Sequence, residues 1–232
     1  RGAHHAAERY ALVHTAGAFS VFATDRDRQT AHDVANALQA HQGQICADLD
    51  CACEFEVAVR LYPDQASFDR HVPHMMGFYA CSGDSIIHMV SPVNPSSQMD
   101  IPYESRILIA VHEYAHLVNN AINPDMPLWL NEGVAVFVGP HDVYEWVCHN
   151  RFPFDLAPAF HDLTTAYDQV PAADLFAYTA VDYLDAEFGR DTLNALIRSL
   201  ERFEVVVGVS AAEFERGWRA YMKQEYRSSN DA

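Results

Sequence analysis

The stretch Leu108–Ile122, LIAVHEYAHLVNNAI, decides how this chain is read. Leu108, Val111, Ala115, Val118 and Ile122 recur at steps of three and four residues, the period of an amphipathic α-helix. Pro102 suits the first turn of that helix, and Pro124 and Pro127 end it. Within it stand His112, Glu113 and His116, an HExxH pattern. Positions four apart on a helix differ by about 40° around the axis, so both imidazoles leave the same side, one turn apart. Two imidazoles so placed can close on one metal ion. Glu113 sits about 100° round from His112 and can face the open side of that ion, where it would accept a proton from bound water.

A catalytic zinc usually takes three protein ligands and one water. Glu132 stands sixteen residues beyond His116, in a second apolar helical segment, Leu128–Val138, LWLNEGVAVFV. The intervening 120–127 stretch supplies a turn, and antiparallel packing of the two helices would bring Glu132 back to the level of the histidines. The expected ligand set is therefore His112, His116 and Glu132. A third histidine six residues after His116 is ruled out, because that position is Ile122, and Asn119 stands where such a pattern has glycine.

Working outward, the N-terminal half alternates strand and helix. Phe19–Ala23 alternates like a short strand, and Thr30–His41 has helical spacing. Phe55, Val57, Val59 and Leu61 place 54–62 in a strand with one apolar face. Gly77–Cys81 and Ser85–Val90 read as two strands joined by a hairpin turn at Ser82-Gly83-Asp84. Beyond the second apolar helix, 151–171 is irregular and contains prolines. Helices follow: one through Tyr178, Val181, Leu184 and Phe188, stopped by Gly189, one through Leu193 to Leu200, and one opened by a Ser210/Glu213 capping box. The expectation is an α+β chain of one catalytic domain over 1–232. Residues 1–122 form an N-terminal mixed-sheet sublobe carrying the HExxH helix, residues 123–232 form an all-helical sublobe, and a cleft lies between them.

Composition bounds the function. The chain has 232 residues, half of them hydrophobic, which suits a protein with a sizeable buried core. Its formal charge of −17 disfavours nucleic acid as a partner. No apolar run reaches the roughly 18 residues of a membrane span. Thirteen histidines raise the prospect of a metal site without locating it. Nothing in the sequence sets the oligomeric state.

HEYAH followed by WLNEGVA resembles the gluzincin zinc metallopeptidases, and the chain length resembles compact peptidase-MA-like domains, the minigluzincins. Strong agreement covers 111–138. The resemblance implies a zincin-like fold and one Zn²⁺ per chain, held by His112, His116 and Glu132, with Glu113 as general base. It implies hydrolysis of a peptide or protein substrate, with the strand before the active helix, Gly77–Cys81, pairing with extended substrate. It also implies an oxyanion donor from the helical half, for which Tyr178 is the candidate. The glycine-rich MEN signature of the large aminopeptidases is absent, so their activity does not carry over. Thermolysin-like enzymes place an aspartate four residues after the glutamate, where this chain has Val136. The partner of the first histidine therefore has no sequence assignment, and His88 and His141 are the candidates. The alternative function is a silent or latent zincin-like module that grips a peptide, blocked in the latent case by the tail near Tyr226–Ala232.

There are five cysteines, Cys46, Cys51, Cys53, Cys81 and Cys148, so at least one is not paired within the chain. No second CxC or CxxC complements Cys51 and Cys53, so plain thiols or a local disulfide of Cys46 with Cys51 or Cys53 are expected rather than a metal site. Cys81, on the proposed substrate strand, is expected to be an inert thiol. The chain opens on Arg1 rather than Met, as a processed or truncated product would. The cysteines and the family resemblance together lean toward an extracytoplasmic location.

Overall fold

A computed structural model describes residues 10–53, 55–76, 78–93, 101–140, 152–199 and 201–226. The fold is α+β, with strands in the N-terminal half and helices after them. By internal contacts the chain separates into two units, Arg1–Gln44 with Ala52–Leu117 and Ile45–Cys51 with Val118–Ala232.

The first unit holds a five-stranded mixed sheet: β1 (Ala11–Ala16), β2 (Phe19–Ala23), β3 (Val57–Tyr62), β4 (Ala80–Gly83) and β5 (Ile86–Val90), in the order β1-β2-β3-β5-β4. The β2/β3 and β3/β5 pairs are parallel, and the two outer pairs antiparallel. Helix α1 (Arg28–Asp48) connects β2 to β3, as a parallel pair requires. The register sets Phe19 against Val57, Val21 against Val59, and Val59 against Ile87, and all of these side chains are buried. Tyr114 packs edge-on against Phe19 at 5.2 Å, which lays α3 (Tyr103–Ile122) on this apolar face. The opposite face presents Arg60, Tyr62 and His88, and α2 (Gln65–His71) meets it through Phe68 against Tyr62.

Several boundaries differ from the sequence reading. The third strand begins at Val57 rather than 54, and the fourth is Ala80–Gly83 rather than Gly77–Cys81. The hairpin turn moves with it. Gly83 pairs with Ile86, and the two turn residues are Asp84 and Ser85, both at positive φ, as a two-residue hairpin matched to strand twist demands. Strand β1 and helix α2 had no strong periodic signal. β1 is half-exposed at an edge, and α2 is seven residues long, started by the Asp64 side chain accepting from the Ser67 amide.

The second unit is helical among its described residues: α4 (Leu128–Val138), α5 (Phe160–Thr165), α6 (Ala173–Phe188), α7 (Arg190–Arg198), α8 (Phe203–Val207) and α9 (Ala211–Glu225). The stretch expected to be irregular therefore contains a short helix, α5, whose Phe160 packs on Phe214 and Trp129. The Ser210/Glu213 capping box opens α9, and Gly189, at φ +84°, closes α6. Tyr221 and Tyr226 both donate to the Asp182 carboxylate, and Tyr226 is buried. The chain up to Tyr226 is thus built into this unit, and the remainder of the tail proposed to block the site lies outside the described residues.

Helix α4 crosses α6 closely at Gly133. A Cβ on Gly133 would lie 2.6 Å from the Ala177 carbonyl oxygen and 2.8 Å from Val181 Cγ2. Gly43, in α1, has nothing within 4 Å of the same position. Replacing an unhindered helical glycine by alanine gains up to about 1 kcal/mol, whereas overpacking costs about 1–3 kcal/mol. Gly133→Ala is expected to lower the urea midpoint and Gly43→Ala to raise it; equal shifts of the same sign would contradict the close crossing.

Candidate metal centre

The predicted ligands converge. One nitrogen of His112, one of His116 and a carboxylate oxygen of Glu132 all lie within 4.8 Å of one another, and the three side chains are half-buried. The two imidazoles present Nε2 atoms 3.0 Å apart, with ring planes at 86°. The rings are hydrogen-bonded at that separation, which is close to the roughly 3.3 Å between two nitrogens held about 2.0 Å from one tetrahedral zinc. Two imidazoles and one carboxylate form the donor set of hydrolytic zinc centres, so the residues present fit a divalent ion.

Helix geometry explains why these groups are together. With Tyr114 directed at the sheet, His112 and His116 leave α3 about 160° away from it, and Asn119 about 140° away. The sheet therefore claims one stripe of the helix, through Val111 and Tyr114, and the histidine stripe faces elsewhere. Asn119 is fully buried, and its amide nitrogen donates to the backbone oxygen of Asn131 at 3.1 Å and to its side-chain oxygen at 2.9 Å. This clamp ties the last turn of α3 to the first turn of α4, one residue before Glu132. Between the two helices, the Asn123 side chain accepts from the Asp125 amide and donates to the Ile197 carbonyl, which shapes the turn. Sequence reading noted Asn119 only as a departure from a glycine pattern. The available signal was a polar side chain at position i+3 from His116 in an apolar helix.

Glu113 is 8% exposed, a buried carboxylate on the same helix as both histidines. Its charge is felt on the sheet edge: burial first, and then the Glu113 carboxylate, push the Cys81 thiol up to about 11. Cys81 is therefore a protonated thiol at neutral pH, a poor metal ligand and a poor nucleophile.

Tyr178 is buried on α6, the helix packed against α4, among Phe176, Ala177, Thr179 and Ala180. Of the two candidate partners of the first histidine, His88 is engaged on the sheet. It accepts from or donates to Tyr62 Oη at 2.8 Å on the sheet face opposite α3, because β5 turns Ile87 and Met89, not His88, toward that helix. Burial, followed by the charges of Arg60, His74 and His71, holds His88 below the usual histidine range. The other candidate, His141, lies outside the described residues. No protein-family model matches this chain, and no curated protein matches it.

Removing the buried Asn119 amide would take away the hydrogen bonds it gives to the backbone and side-chain oxygens of Asn131. Asn119→Ala is expected to reduce the unfolding free energy by about 1–3 kcal/mol. Asn120→Ala, which removes only an exposed acceptor 3.4 Å from the Asn131 amide nitrogen, is expected to change it by less than about 0.5 kcal/mol. Urea denaturation of the two variants side by side checks this.

Proposed function

We propose that the chain is a zinc-dependent metallopeptidase. The reading is supported above all by the mutual approach of His112, His116 and Glu132 ligand atoms within 4.8 Å, with the buried Glu113 on the same helix. A zinc ion held by these three residues would supply Lewis acidity toward a substrate carbonyl and lower the pKa of water.

The remaining chemistry belongs to the protein. Glu113 is the general base: its carboxylate takes a proton from the attacking water and returns it to the amine that leaves. Its burial limits competing solvent, so the proton stays within the site. His112 and His116 are rigid because they stand on the middle of a 20-residue helix rather than on a loop. Glu132 is held by the Asn119–Asn131 clamp beside it. Among the described residues β4 is an outermost strand of the sheet, where an extended peptide would add by main-chain hydrogen bonds. Tyr178 remains the candidate oxyanion donor of this proposal. It takes that role only if its hydroxyl reaches the reacting carbonyl.

The wild-type chain and two variants test the reading. The wild-type chain should retain one zinc per chain through dialysis and cleave a peptide library, and a chelator should stop it. Glu113→Gln should keep the metal and lose activity by about 10²–10⁴-fold. Glu132→Ala should lose the metal itself, measured by elemental analysis. Full cleavage by Glu113→Gln, or zinc binding unaffected by Glu132→Ala, would overturn the assignment.

A further inference from the structure

A second group of candidate ligands, all of them soft, lies within the eight residues Cys46–Cys53. Cys46 and Cys53 are disulfide-bonded, while Cys51 and Cys81 are thiols. The three sulfurs of Cys46, Cys51 and Cys53 all lie within 4.8 Å of one another. We propose that this segment is a redox-gated site for a soft, thiophilic cation: closed by the Cys46–Cys53 disulfide, and opened by reduction into three thiolates that share one ion. The proposal is independent of the peptidase reading.

The chemistry balances with a dithiol as reductant. The dithiol gives two electrons and two protons to the sulfur–sulfur bond and closes to its own disulfide. Cys46 and Cys53 become thiols beside the Cys51 thiol. A divalent or monovalent soft cation then displaces their protons to solvent and binds the three sulfurs.

What makes the cluster a site, and not merely a crosslink, is that its backbone is held by other bonds. The Cys51 amide donates to the Cys46 carbonyl at 2.9 Å. Between them, Asp48 is paired with Arg190 at 2.9 Å, and its carbonyl accepts from Asn194. The Leu49 and Asp50 carbonyls both accept from Arg198, at 2.6 and 2.7 Å. Helix α7 thus grips the loop from Asp48 to Asp50 through three side chains, so breaking the disulfide does not release it. Cys46 lies in the last turn of α1, where the helix dipole carries partial negative charge and favours a cation. Cys51 is half-exposed, which gives an ion access, and Cys53 is buried. Asp50 and Cys53 both adopt positive φ, at 47° and 46°, which turns the chain back on itself so that the third sulfur meets the other two.

The test uses the full chain carrying C81S and C148S, which leaves only these three cysteines. Cd²⁺ is the probe, because its thiolate charge-transfer absorption in the ultraviolet does not arise from imidazole or carboxylate ligands. After reduction by a dithiol and its anaerobic removal, one equivalent of Cd²⁺ should give the band at saturation. The oxidised protein should give none. Adding C51S should weaken Cd²⁺ binding by well over about tenfold, more than the loss of an outer-shell contact costs. Adding H112A should leave the band unchanged. The proposal is overturned if the reduced protein shows no band, if C51S binds Cd²⁺ as tightly as its parent, or if reduction alone abolishes the native circular dichroism.

Discussion

The Asn119 side chain is the constraint on which the candidate centre depends. A single buried amide bridges two helices by donating to both oxygens of Asn131. Burying an amide nitrogen is costly unless it is bonded, which favours the register of α4 against the end of α3 that gives it two acceptors. That register carries Glu132 back to His112 and His116. The other side of α4 is equally restricted, because Gly133 lets the Ala177 backbone approach to a distance no side chain would tolerate. The asparagine before Glu132 and the glycine after it therefore have structural reasons to be there, separate from any chemistry at Glu132 itself.

The same economy governs α3. Its apolar stripe is spent on the sheet, with Tyr114 against Phe19 and Phe55. Its polar stripe is left for His112, His116 and Asn119. Glu113 falls between the two stripes, buried, and close enough to the sheet edge for its charge to help keep the Cys81 thiol protonated. One helix thus carries a packing surface, a pair of ligand donors and a carboxylate base, separated only by the angular step between successive residues.

The ligand residues were legible because their spacing is local. HExxH is a statement about one turn of one helix, and Leu128–Val138 could be read as a helix because its apolar run is bounded by Pro127 and Gly139. The strands β2 and β5 were legible for a similar reason, from their alternation or their β-branched run. Less could be read where a side chain's partner is remote in sequence. His88 looked like a candidate neighbour of the metal ligands. Which face of β5 it occupies depends on the strand register with β3, and that register sends it to Tyr62. The turn at Asp84-Ser85 was misplaced by one residue because glycine is the usual marker of positive φ, and here Gly83 pairs in the ladder instead.

The amino-acid sequence by itself determined the α+β class and the helical phase that puts His112 and His116 on one side, since both follow from periods of two and 3.6 residues along the chain. It also determined that Glu132 sits on the next helix. Only the tertiary structure decided that this carboxylate reaches the two imidazoles, through the Asn119 clamp and the Gly133 crossing. Only it decided that three cysteines meet in a loop gripped by Arg190, Asn194 and Arg198. Those outcomes turn on contacts between residues up to about 150 positions apart, and hydrophobic periodicity, a property of neighbours, carries no information about such pairs.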